Sequence, residues 1–126
     1  MPFTPGRPVA EAKADLFKAL AHPARVRVLE LLAEGEHTIG ELAEATGLEL
    51  SHLSQQVTVL RRAGVVDSRR VRSNVVCALR DSQTAELLAV ARRLLSRNLR
   101  DGQALLAALD GADDAVSLAG VPPNRS

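Results

Sequence analysis

Residues 49–66 read ELSHLSQQVTVLRRAGVV, and the way this stretch divides its faces decides the fold. Placed on a helix, Leu53, Val57 and Leu60 recur at spacings of four and three and make one inward stripe. The other faces carry Ser51, His52, Ser54, Gln55, Thr58, Arg61 and Arg62. An ordinary solvated face would be stocked with Glu and Lys, whereas this one holds hydroxyls, amides and an imidazole, then two cations. Short side chains suit a major groove, their polar groups meeting base edges and their carbons thymine methyls, and cations suit phosphates. Ser51, His52, Ser54, Gln55 and Thr58 fit the first task, and either Gln55 or Gln56 can pair bidentately with adenine. The competing reading is a solvated helix that happens to lack Glu and Lys.

The segment just upstream supports the first reading. In HTIGELAEATG (37–47), Thr38 followed three residues later by Glu41 makes a capping box. Ile39, Leu42 and Ala43 face inward, and Gly47 stops this short helix. Two short helices joined by a Gly-containing turn, the second bearing polar side chains, form a helix-turn-helix. Further upstream, Val9, Leu16, Phe17 and Leu20 mark an amphipathic helix that breaks at His22-Pro23. The next helix, PARVRVLELLAEG, should bury Val26, Leu29 and Leu32, with Arg25 and Arg27 in structural ion pairs or at the surface.

Downstream, VVDSRRV and NVVCALR are β-branched runs around a tight connection, a hairpin in which Asn74 can supply a left-handed residue. Val75, Cys77 and Leu79 share one face of the second strand, while Val76, Ala78 and Arg80 share the other. Asp81 or Ser82 can cap a last helix over about 83–100. It is apolar on more than one stripe, through Leu87, Leu88, Ala91, Leu94, Leu95 and Leu99, and the surplus needs a second copy of the chain. Residues 103–110 extend this helix or add a turn. The domain thus spans 9–110, between a flexible arm at 1–8 and a tail, expected to be disordered, at 111–126.

Composition bounds the function. The 126 residues allow one core, and two Phe with no Tyr or Trp leave it to Leu, Val, Ile and Ala, favouring packed helices. Net charge is only +1, so a nucleic-acid partner must be argued from where charge sits. Residues 61–72 hold Arg61, Arg62, Arg69, Arg70 and Arg72 against Asp67, five minus one, or +4. Arg69, Arg70 and Arg72 are expected on phosphates, while Arg61 could equally pair with a neighbouring Glu. A single cysteine excludes an internal disulfide and fits a reducing, cytoplasmic setting. No signal peptide and no membrane span are expected. Acids are scattered, no Gly-rich phosphate loop occurs and no nucleophile has an evident base, so the chain does not read as an enzyme. His22, His37 and His52 do not recur at a ligand spacing, and their expected roles are cap, loop and base reader. Cys77 is expected to be buried and structural.

The segments ALAHPARVRVLELL, IGELAEATGL, SHLSQQVTVLRRAGVV and SRR, in this order, resemble the ArsR/SmtB family of small bacterial winged-helix repressors over roughly residues 10–100. The resemblance implies a mainly α winged helix-turn-helix fold of about five helices with a small β-hairpin. It also implies a homodimer joined by its terminal helices, adding Leu16 and Leu20 to the interface. An inverted-repeat DNA operator would be its partner, and Thr38 and Asn74 join the DNA-facing set. Repression of this kind is relieved by an inducer, here an unidentified ligand or partner protein. The family commonly has Gly at the wing tip where this chain has Arg72. Metal-sensing members carry Cys pairs at the first motif helix or His and Asp pairs on the terminal helix. Here those regions read GEHTIGEL and DSQTAELLAVARRLL, so no metal or cofactor is expected. Two alternatives stay open, a metal- or redox-responsive sensor of the same fold and a winged-helix protein-interaction module.

Overall fold

The computed structural model describes residues 8–116. The chain runs α1 (Val9–Leu20), α2 (Pro23–Glu34), β1 (His37–Thr38), α3 (Ile39–Thr46), α4 (Leu50–Arg62), β2 (Val66–Val71), β3 (Asn74–Leu79) and α5 (Gln83–Val116). It divides into two compact units at Leu88 and Ala89. The first holds everything through the opening turns of α5, and the second holds the remainder of that helix.

Helix ends follow local chemistry. Pro23 opens α2, and His22 caps it, its Nδ1 accepting from the Ala24 amide at 3.1 Å. At α3, Thr38 Oγ1 accepts from the Glu41 amide (3.1 Å) while the Thr38 amide donates to Glu41 Oε1 (2.7 Å). This is the reciprocal capping box, and it satisfies two otherwise orphaned donors. Gly47 ends α3 at φ +76, a left-handed conformation that a Cβ would oppose. The turn it makes aims α4 across α3.

The core of the first unit is aliphatic. It gathers Val28, Leu29, Leu31 and Leu32 from α2, Leu42 from α3, and Leu53, Val57 and Leu60 from α4, closed by Val65, Val66 and Cys77. Burying each such leucine is worth about 1.5–3 kcal/mol, which makes this assembly the main hold on α4. The stripe expected on α2 differs in part. Val26 is only half-buried, whereas Val28 and Leu31 are buried with Leu29 and Leu32, because the helix packs on two sides.

Four further expectations are corrected. The hairpin is part of a three-stranded antiparallel sheet of order β1-β3-β2, since His37 and Thr38 pair with Cys77 and Val76. The left-handed residue of its turn is Arg72 (φ +58), not Asn74. In register, Val71 faces Asn74, so Arg72 and Ser73 form a two-residue loop, whose first position needs positive φ whatever residue sits there. The tail expected from residue 111 begins inside a helix: α5 passes Gly102 and Gly111 and continues to Val116. The rest of that tail (117–126), and residues 1–7 of the arm, lie outside the described residues. Finally, Leu20 is buried in the core of a single chain, while Leu16, Leu87 and Leu88 pack against that core and are only half-buried. In the second unit Leu94, Leu95 and Leu99 are 56%, 68% and 64% exposed, and Ala91 is exposed too.

Candidate nucleic-acid interface

The buried stripe of α4 sets the direction of every other side chain on that helix. With Leu53, Gln56, Val57 and Leu60 inward, the row Ser51, Gln55, Thr58, Arg62, at spacings of four, three and four, lies opposite the core. A second row, Leu50, Ser54, Val57 and Arg61, borders a cleft whose other wall is Ser73, Asn74 and Val75 of the hairpin, with Thr38 and Ile39 at the start of α3. His52 is exposed but shares the opposite flank with Val59, a quarter-turn from the outward row.

Gln56 is corrected: it is buried and does not face outward. Its Oε1 accepts from Arg25 Nη1 at 3.0 Å, and the same guanidinium donates to the carbonyls of Ala19 (2.6 Å) and Lys18 (3.4 Å). Arg25 thus ties the end of α1 to the middle of α4. Arg25 is expected in a structural ion pair or at the surface, and its partner here is an amide rather than a carboxylate. Gln56 stands three residues after Leu53 and four before Leu60, the spacing of the stripe itself, which was signal enough. Arg27 forms the expected surface ion pair, with Glu30 at 3.7 Å.

The period of two along a strand sorts the arginines of the wing, the β2–β3 hairpin. Asp67 and Arg69 lie on the face shared with Ala78, Arg80 and, on β1, Thr38. On that outer face the charges cancel. Arg69 makes a two-pronged pair with Glu36, both bonds 2.8 Å, and Arg80 donates twice to Asp67 Oδ1 (3.0 and 2.9 Å). The Arg69 bond holds the Glu36 carboxyl below its ordinary value, and Glu36 in turn raises the Arg69 guanidinium. Arg69, expected on phosphate, is therefore already engaged. Arg70 lies on the other face, in line with Val66 and Ser68 and opposite Val75, and Arg72 is at the tip. Among the described residues Arg61, Arg62, Arg70 and Arg72 form no ion pair. Three of these cations thus flank the outward row of α4, and the fourth, Arg62, closes it.

Thr38 lies at the edge of the cleft with its hydroxyl engaged in the cap, and Asn74 is exposed at the foot of the turn. The thiol of Cys77 is buried, 3.6 Å from Ser68 Oγ. Burial pushes its pKa up, against the smaller lowering effects of Ser68 and Arg61. A thiol kept protonated in this way is a poor nucleophile. His37 is in β1 rather than a loop, its Nδ1 2.8 Å from the Gly35 carbonyl. Among the described residues no group of three His, Cys, Asp or Glu side chains could hold a metal ion, and no helix is long and apolar enough to cross a membrane.

A capped short helix, a glycine turn, a polar-faced second helix and a charged hairpin define a winged helix-turn-helix. Residues 22–68 match the family described as bacterial regulatory protein, arsR family. The uncharacterized HTH-type transcriptional regulator Rv0081 of Mycobacterium tuberculosis is 50% identical over 110 residues, 86% of this chain and 96% of that protein. Its crystal structure superposes with a TM-score of 0.70 at 52% identity, covering 76% of this chain and 97% of the other. The biofilm growth-associated repressor of Agrobacterium fabrum is 43% identical over 75 residues, 60% of this chain and 64% of its own. The homodimeric winged helix-turn-helix DNA-binding domain Mb0332 of Mycobacterium bovis, solved in solution, matches at TM-score 0.69 and 27% identity over 78% of this chain and 95% of that one. The chain belongs to the arsR family of bacterial transcriptional regulators.

Proposed function

We propose that the protein is a repressor that binds an inverted-repeat operator as a homodimer, with α4 in the major groove and the wing along the phosphate backbone. The observation that carries this is the outward row Ser51, Gln55, Thr58 and Arg62 beside Arg61, Arg70 and Arg72, all four arginines without an ion pair among the described residues, a groove-sized array of base-edge donors and acceptors bordered by phosphate ligands. Ser51, Ser54, Gln55 and Thr58 read bases. Arg61, Arg62, Arg70 and Arg72 hold phosphates, with Thr38 and Asn74 at the margin, and His52 reaches only the edge of the footprint.

Dimerisation rests on α5. Ala91, Leu94, Leu95 and Leu99 leave an apolar stripe in water, and Phe17 of α1 is 54% exposed. Burying three or four such side chains would contribute several kcal/mol, at about 1.5–3 kcal/mol each. The homodimeric state of Mb0332 supports the same assembly here. Two α4 helices related by a two-fold would then sit about 34 Å apart.

Selection from random duplex DNA tests the reading. The retained sequences should converge on an inverted repeat whose half-sites are one helical turn apart. Retention without sequence convergence, or none at all, would favour a winged helix that contacts another protein instead.

A further inference from the structure

The cleft between α4 and the wing holds features that DNA contact does not explain. Ile39, Leu50, Val57 and Val75 give it an aliphatic floor, and Leu50 is 57% exposed at the start of an otherwise polar helix face. Phosphodiester backbone gains nothing from four aliphatic side chains. Arg61 and Asn74 stand at the rim, Arg61 has no ion-pair partner among the described residues, and none of the lining residues is acidic. The volume is about 470 Å³, inside the range of roughly 300–1,000 Å³ that small-molecule sites occupy. An apolar floor with one uncompensated guanidinium at its edge is complementary to a molecule with an apolar body and one carboxylate.

We propose that this cleft binds a small aliphatic monocarboxylate, its carboxylate on Arg61 with the Asn74 amide assisting and its hydrocarbon body on Ile39, Leu50, Val57 and Val75. Occupancy takes Arg61 away from phosphate and fills the space between the helix and the hairpin, so this ligand and DNA exclude one another. That exclusion rests on the function proposed above; the binding itself does not.

The test is a methyl-detected NMR titration of the full chain, free of DNA, with sodium octanoate and with octan-1-ol. Octanoate should give saturable shifts at Ile39, Leu50, Val57 and Val75, and octan-1-ol should bind at least about tenfold more weakly for want of the charge-assisted bond. Arg61→Gln should abolish that difference, and Leu50→Gln should weaken both ligands alike. Equal affinity of acid and alcohol for the unmodified protein, or shifts confined to the leucines of α5, would overturn the site. In a second arm, octanoate at ten times its Kd should lower apparent DNA affinity about elevenfold, as competition requires. Unchanged DNA affinity with the cleft full would overturn exclusion. A protein that bound no duplex would remove the functional reading and leave the titration result standing.

Discussion

Gln55 stands in the outward row of α4, while Gln56, one residue on, is buried against Arg25. The two side chains are chemically identical, so helix phase alone decides what each does. Gln55→Ala should relax preference at one base pair by about 1–3 kcal/mol and leave the melting temperature unchanged, as read by titrating operator variants. A loss shared equally by all sequences would contradict a base-reading role. Gln56→Ala should do the reverse, since it strips a partner from a part-buried guanidinium. A urea midpoint shift equivalent to about 1–3 kcal/mol is expected, with sequence preference retained. At this scale the sequence was legible wherever one stripe settles direction, as for Ser51, Gln55 and Thr58. It is silent on partners that arrive from far along the chain, Arg25 for Gln56 and Glu36 for Arg69, although the stripe itself places Gln56 inward.

Among the elements, the wing shows most clearly what periodicity conveys. The alternation of Val75, Cys77 and Leu79 with Val76, Ala78 and Arg80 was readable from residue order, and the same alternation separates Arg70 from Arg69. What it could not convey was β1, because two residues carry no period, and Glu36 enters the site beside it. Propensity favours Asn74 for the left-handed position of the turn, whereas loop length imposes it on Arg72. Holding an L-residue there costs roughly 1–2 kcal/mol. Arg72→Gly should therefore raise the melting temperature while weakening DNA binding and flattening its salt dependence. A lower melting temperature would contradict the strain, and unchanged binding would contradict the phosphate role. Helix α5 runs past its expected end: Gly102 and Gly111, each about 1 kcal/mol worse than Ala, weaken a helix without ending it. The Ala- and Leu-rich run between them is a strong helix former.

For the whole molecule, bulk composition said little, since a net charge of +1 conceals four arginines, on and beside one helix, that form no ion pair among the described residues. Neutralisation on the outer face of the sheet leaves the inner face and tip of the wing positive. The apolar surface divides by degree: Leu20 is buried in a single chain, Leu16, Leu87 and Leu88 are half-buried against that core, and Leu94, Leu95 and Leu99 are exposed. Leu95→Glu should accordingly yield folded monomers by sedimentation, with helical circular dichroism kept and operator affinity lost. Aggregation or unfolding would show that Leu95 supports the protomer instead. Fold class was legible in the sequence because caps, glycines and stripes agreed, but the division of leucines between core and interface depends on tertiary packing that no single helix displays.

The most direct test of the account is the dependence of operator affinity on salt for three proteins: unmodified, Arg70→Ala and Arg69→Ala. Each phosphate contact contributes a slope of about −0.9 in log affinity against log salt. The unpaired Arg70 should, when removed, flatten the slope by about 0.9 per protomer and weaken all sequences alike, while removal of the Glu36-bound Arg69 should leave the slope nearly as it was. Equal flattening by both variants, or none by Arg70→Ala, would contradict it.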